Sequence, residues 1–162
     1  MHFAVTKIQP PRPRPGWIAR PRLESRFAAA IGTHRLVLVS APAGFGKTAL
    51  LARQVHALAG DTALAWIAAD SGDDLHRLLE CLVAALEPYD LPWRLAPEAV
   101  AVQAADGSPA LRRTAAAALL NTLDAADAAR GLIVLDDGHR VDDADVWRFL
   151  DLLLERLSPR WT

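Results

Sequence analysis

The stretch that decides the fold is residues 41–48, Ala-Pro-Ala-Gly-Phe-Gly-Lys-Thr. It matches the relaxed pattern of a phosphate-binding loop, with Ala41 at a position where glycine is usual. Small residues allow backbone N–H groups to surround phosphate oxygens, and the following helix directs its positive N-terminal end at the same anion. At this spacing Lys47 can reach the β- and γ-phosphates, and the Thr48 hydroxyl can bind Mg²⁺. The residues predicted to contact the nucleotide are Ala43, Gly44, Phe45, Gly46, Lys47, Thr48 and Ala49.

The sequence around this loop has the pattern of an α/β domain. Short apolar runs at 35–40, 63–69 and 131–136 predict three buried strands. Stretches with helical periodicity and capping residues alternate with them, which favours a parallel sheet flanked by helices. The predicted helices are 23–32, 47–58, 75–86, 97–104, 109–130 and 142–157.

Two adjacent acids follow the third apolar run, 88 residues after Thr48. In nucleotide sites with this pattern, the first acid holds Mg²⁺ through water, which predicts a metal role for Asp136. The second can orient or deprotonate the attacking water, which makes Asp137, beside Lys47, a candidate catalytic residue. The alternative is that both aspartates only solvate a loop or cap the next helix.

Composition excludes several classes of protein. The chain has 162 residues, 52% of them hydrophobic, and a net charge of −1, which fits one globular domain without an overall nucleic-acid-binding charge. A single cysteine, Cys81, cannot form an internal disulfide or a cysteine-based zinc cluster. No apolar stretch approaches the roughly 20 residues of a membrane span, so we predict a cytoplasmic protein without a membrane partner. Only two of the 18 basic residues, Lys7 and Lys47, are lysines.

The first 22 residues differ in composition from the rest. Residues 1–22 are rich in proline and arginine and are predicted to form an extended segment before an ATPase domain at 23–162. Four interpretations remain open for this segment: a ligand for a partner domain, a nucleic-acid arm, a strap beside the nucleotide, or a stiff solvated leader.

Five segments in the same order carry a family resemblance: 6–11, 18–23, 38–48, 65–67 and 134–139. Together they resemble the N-terminal ATPase domain of MalT-like transcription regulators. These are the large ATP-binding regulators of the LuxR type, within the signal-transduction ATPases with numerous domains (STAND).

The resemblance implies a switch that binds ATP or ADP with Mg²⁺ and controls self-association of the full-length protein. It also implies promoter binding through a C-terminal helix-turn-helix outside these residues, and a small-molecule inducer bound elsewhere. Ile18 and Arg20 stand where related ATPases contact the adenine. Gly138 departs from the family pattern, in which an aromatic residue is common at this position.

The resemblance further implies one more strand between runs 35–40 and 131–136, beginning just after Thr162, so we expect the fold to be incomplete at its C-terminal end. Two rival functions remain open. One is a free-standing P-loop ATPase or small-metabolite kinase, for which Arg112 and Arg113 are candidate lid arginines. The other is an interaction module that binds no nucleotide.

Overall fold

A computed structural model describes residues 3–58 and 60–162. Its strands and longer helices are α1 Pro21–Ile31, α2 Lys47–His56, β1 Thr62–Ala68, α3 Leu75–Leu86, α4 Pro97–Ala105, α5 Pro109–Asp124, β2 Arg130–Asp136 and α6 Ala144–Arg156. Short 3-10 helices lie at Val5–Ile8, Glu87–Tyr89 and Gly138–Arg140. This is the α/β fold of a P-loop NTPase that the sequence predicts, with small differences at most helix ends.

The sheet is parallel and centred on β2. Strands β1 and β2 pair from Thr62 opposite Arg130 to Ala68 opposite Asp136. On the other edge of β2, Trp161 forms a parallel bridge with Gly131.

The residues at this second edge of β2 also contact the last residue of α1 and the chain that follows it. The N–H of Ile133 donates to Thr162 O at 2.9 Å. The Thr162 hydroxyl in turn donates to the carbonyls of Ile31 and His34, at 2.8 Å each. Residues 160–162 therefore lie between β2 and the start of run 35–40.

The prediction of a strand at 35–40 is wrong. Within the described residues no segment forms hydrogen bonds with the backbone of this run in the manner of a strand, so it belongs to no strand. Its side chains still alternate: Val37 and Val39 pack against the core, whereas Leu36 and Leu38 are 62% and 85% exposed. An apolar run becomes a strand only when a neighbouring backbone accepts and donates its hydrogen bonds.

Apolar side chains cover both faces of the two-stranded sheet. On one face, Ala63, Ala65 and Ile67 pack against α3 and the helices that follow it. On the other face, Trp66 and Val134 pack with residues of α1 and α2. The alternation of β1 between the two clusters is the period of two expected for a strand buried on both sides. None of the helices in the described residues is long and apolar enough to cross a membrane.

Helix α3 lies directly on β1 and contains the single cysteine. Asp74 caps the helix, since its Oδ1 accepts from Arg77 N at 2.8 Å. Cys81 is fully buried, and this burial raises the pKa of its thiol to about 11. Cys81 therefore acts as a packing residue.

Helix α5 is shorter than predicted. It ends at Asp124 instead of continuing to Arg130. Arg130 already pairs with Thr62 as the first residue of β2, so residues 125–129 must turn the chain from the helix into the strand. Helix α1 begins two residues earlier than predicted, with Pro21 in its first turn.

Candidate functional site

The glycine-rich loop joins run 35–40 to α2 and is exposed. Gly44 and Gly46 both have φ of +79°, a left-handed conformation that glycine adopts without steric cost. Gly46 is also the N-cap of α2, and the N–H groups of the first helical turn have no acceptor within the helix. The Lys47 ammonium donates to Ala41 O at 2.9 Å and to Pro42 O at 3.2 Å. The local geometry is therefore that of an anion-binding helix start.

The first acid of the pair meets this helix start. Thr48, in the first turn of α2, donates its hydroxyl to Asp136 Oδ1 at 3.0 Å. Asp136 ends β2 and is only 6% exposed. Burial raises the pKa of the Asp136 carboxyl, and the charge of Asp137 adds to this, while the Thr48 hydrogen bond opposes it. The fold thus joins the two motifs, although 88 residues separate them.

The second acid lies on the turn after β2. Asp137 has φ of +53°, which directs its side chain differently from that of Asp136. The side chain is partly exposed, with His139 Nδ1 3.9 Å from Asp137 Oδ1. Asp136 is therefore the acid in contact with Thr48, and Asp137 lies beside it on the solvent side.

Arg20 approaches the glycine-rich loop from the N-terminal side. A Cβ built on Gly46 would lie 3.8 Å from Arg20 Nη2. The backbone N–H of Arg20 donates to Glu24 Oε1 at 3.0 Å, and the same carboxylate pairs with Arg53 of α2 at 3.0 Å. Ile18 is strongly exposed. The structure therefore brings Arg20 to the loop and leaves Ile18 in solvent.

The donor set next to the loop fits Mg²⁺. The Thr48 hydroxyl and the Asp136 carboxylate are adjacent oxygen ligands of the kind that Mg²⁺ prefers. The buried carboxylate also carries an unfavourable charge that a cation would offset.

A second polar cluster lies in the loop after β1, and sequence reasoning did not find it. Lys7 is buried and its Nζ contacts both Asp70 and Asp73, at 2.7 Å each. The partners are 63 and 66 positions away, beyond any local pattern. The scarcity of lysine is the signal that could have found it, because arginine replaces lysine poorly where a compact ammonium is needed.

One of the two candidate lid arginines, Arg112, has a structural partner. Both terminal nitrogens of Arg112 donate to the Asp145 carboxylate, which joins α5 to α6. Arg148 donates to the same carboxylate at 2.9 Å. Arg112 is therefore part of the helical layer.

Comparisons with known proteins agree with this geometry. Residues 20–160 match the model of the AAA ATPase domain. Serine/threonine-protein kinase PknK of Mycobacterium tuberculosis (strain H37Rv) is 33% identical over 157 residues, which cover 93% of this chain and 13% of that protein. The HTH-type transcriptional regulators MalT of Cronobacter sakazakii and Klebsiella pneumoniae are 37% identical over 71 residues, 43% of this chain and 7% of each regulator. The chain thus spans a small part of these relatives.

The family match covers most of the chain, including the glycine-rich loop and the acidic pair. An ATPase domain of this family implies nucleotide binding. The chain therefore belongs to the AAA ATPase domain family, with similarity to MalT-type regulators.

Proposed function

We propose that this domain is the ATP-binding switch of a MalT-like regulator of the LuxR type, with ATP or ADP and Mg²⁺ bound at the glycine-rich loop. The contact between Thr48 Oγ1 and Asp136 Oδ1, 3.0 Å long, is the observation that carries the proposal. It unites a phosphate-type loop with a buried carboxylate, which is the pairing that a metal–nucleotide site needs.

Each residue of the site has a proposed role. The backbone N–H groups of residues 43–49 surround the phosphates, and Lys47 contacts the β- and γ-phosphates. Thr48 and Asp136 hold Mg²⁺, which neutralises phosphate charge when bound. Asp137 orients or deprotonates the attacking water, for which its partly exposed side chain beside Asp136 is suited.

The adenine side of the site is proposed at the N-terminal approach to the loop. Arg20 supports this because its guanidinium lies near Gly46. Ile18 offers an exposed apolar side chain two residues earlier, which a base could cover. Both residues precede α1, so base binding would connect this helix to the phosphate loop.

The switch itself is proposed for the full-length protein. We expect slow hydrolysis, because a switch must persist in its ATP state long enough to be sensed. In this proposal the nucleotide state controls self-association, an inducer binds elsewhere, and a helix-turn-helix outside these residues binds DNA. The similarity to proteins named as HTH-type regulators supports this proposal.

Titration calorimetry with ADP and ATP, each with Mg²⁺ and with EDTA, tests the binding proposal. We expect both nucleotides to bind, and Mg²⁺ to strengthen the binding. Light scattering of the full-length protein then tests the switch, with a larger particle expected in one nucleotide state than in the other. Absence of nucleotide binding by the folded protein would favour an interaction module instead.

A kinase acting on a small metabolite is less well supported. Arg112, one of the two candidate lid arginines, is held by Asp145. The two proposals differ in one measurement: a kinase would consume ATP faster when its acceptor is added, whereas a switch would not respond to small acceptors in this way.

A further inference from the structure

A buried lysine fastens the N-terminal segment to the domain. Lys7 is 8% exposed, and its Nζ lies 2.7 Å from Asp70 Oδ2 and 2.7 Å from Asp73 Oδ2. Removing an ammonium from water is costly unless it is paired. Burial alone would lower the pKa of Lys7, but the hydrogen bonds and charges of the two aspartates raise it overall. Lys7 therefore stays charged while it is buried against the two aspartates of the loop that follows β1.

The segment around this lysine crosses the domain, and we call residues 3–11 the strap. Phe3 and Ile8 pack against the larger core cluster. Further along, Pro11 O lies 3.2 Å from His56 Nε2, at the C-terminal end of α2. The strap therefore connects the loop after β1 with the helix that carries the glycine-rich loop at its other end. Its core contacts are inconsistent with a purely solvated leader.

The loop held by the strap is bonded to the end of β2. The carboxylate of Asp73 accepts from Asp70 N at 2.8 Å, which closes the loop on itself. The preceding residue, Ala69, donates its N–H to Asp136 O at 2.9 Å. The main chain that carries the Asp136 carboxylate is thus one hydrogen bond from the loop.

The other end of the same loop is bonded to the segment that follows β2. Leu75 N donates to Asp143 Oδ2 at 2.9 Å. The second oxygen of Asp143 accepts from Asp145 N at 2.9 Å, which caps α6. The loop is therefore bonded both to Asp136 and to the residue that caps α6.

We propose that Lys7 is a positioning residue for Asp136: by clamping the loop after β1, it fixes the backbone bonded to Asp136 and keeps that carboxylate opposite Thr48. The inference rests on the proposed function, which gives Asp136 a metal ion to hold. Because Lys7 acts through Asp136, its loss should weaken the Mg²⁺-dependent part of nucleotide binding. The Mg²⁺-independent part depends on the glycine-rich loop and should persist.

The substitution K7M tests this in the full chain, because methionine keeps the length of the side chain and removes the charge. Calorimetry measures ADP affinity with Mg²⁺ and with EDTA. We expect the gain from Mg²⁺ to fall about tenfold, as for loss of a group that orients a metal ligand, and the affinity in EDTA to stay within about twofold. Hydrogen exchange should become faster at the Ala69 amide.

Three further variants complete the test. R12M removes an exposed cation of the adjoining segment and should change neither readout. K7R keeps the charge and should retain part of the Mg²⁺ effect and part of the slow exchange of the Ala69 amide. If K7M does not fold, K7M/D73N removes both charges, which makes burial cheaper, while the asparagine oxygen can still accept from Asp70 N. The double variant should fold and show the same loss of the Mg²⁺ effect.

The outcomes separate this inference from the proposed function. Parental Mg²⁺ dependence and parental Ala69 exchange in K7M or the double variant would overturn the role of Lys7. Equal losses with and without Mg²⁺ would also overturn it, since they would indicate a general loss of structure. If the folded parent binds no nucleotide, the proposed function fails, and the role of Lys7 in positioning a metal ligand fails with it. Faster Ala69 exchange would then support only the clamp.

Discussion

The glycine-rich loop and the strap both lie near Asp136 but are held in different ways. In the loop, glycines set the backbone, and the Lys47 ammonium bonds to carbonyls of the loop itself. At the strap, the ammonium of Lys7 is buried and bonds to carboxylates of a distant segment. A ligand could replace the carbonyl partners of Lys47 in the exposed loop, whereas Lys7 is shielded from solvent.

This difference separates recognition from support. An exposed loop whose polar groups bond weakly among themselves can give those groups to an anion. A buried pair is costly to break, since an unpaired charge would remain inside. We therefore expect substitutions in the loop to alter nucleotide affinity more than stability. Substitutions of buried residues should alter stability more than affinity.

Gly131→Ala should have the largest effect, because it disturbs the packing between β2 and Trp161. An added Cβ would lie 2.2 Å from the Trp161 ring, which is fully buried. We expect the free energy of unfolding to fall by about 3 kcal/mol, at the upper end of the range for overpacking. Thermal unfolding measures this. Gly60→Ala is the matched control, because its Cβ would meet nothing within 4 Å. Equal melting temperatures for parent and G131A would contradict the close packing.

Asp137→Asn should separate hydrolysis from binding. Asparagine cannot accept the proton of the attacking water, so we expect hydrolysis to slow about 100-fold, the lower end for loss of a general base. Nucleotide affinity should stay within about twofold, because Asp136 remains opposite Thr48. Phosphate release and calorimetry measure the two quantities. Undiminished hydrolysis would remove Asp137 from the mechanism.

Lys47→Ala should weaken ATP binding about 30-fold, since it removes a charge-assisted bond to the phosphates. The melting temperature of the nucleotide-free chain should hardly change, because the lost bonds go to carbonyls of an exposed loop. Lys47→Arg tests whether a compact ammonium is needed, and we expect it to bind weakly as well. An alanine variant with the affinity of the parent would contradict the proposed contact of Lys47 with the phosphates.

In the absence of metal, Asp136→Asn should have only a small effect, a modest stabilisation of the protein at neutral pH. The folded-state pKa of Asp136 lies above the ordinary value of 3.8, so its ionisation works against folding. The advantage of asparagine should be absent below about pH 3.8 and grow as pH rises through the folded-state pKa. Thermal unfolding in EDTA across pH measures it, with Asp151→Asn on the exposed side of α6 as the control. A destabilised variant at pH 7 would contradict the burial argument.

Sequence reasoning reached the site because its chemistry is local. Residues 41–48 are one contiguous motif and the acids at 136–137 are another, so each pattern is visible in the chain. Run 35–40 was predicted as a strand from composition, but strand formation depends on a neighbouring backbone that no local pattern encodes. The end of α5 was missed for a similar reason, since pairing of Arg130 in β2 limits the helix. Lys7 finds its partners only after folding.

The buried thiol of α3 offers a way to time local opening. The thiolate is the form that attacks thiol reagents, and a pKa of about 11 leaves little thiolate at neutral pH while Cys81 remains buried. Labelling should then wait for α3 to lift from β1, and its rate would give the free energy of that opening when closing is fast. A chain with a single cysteine needs no engineering for such a measurement, and one reagent follows one helix.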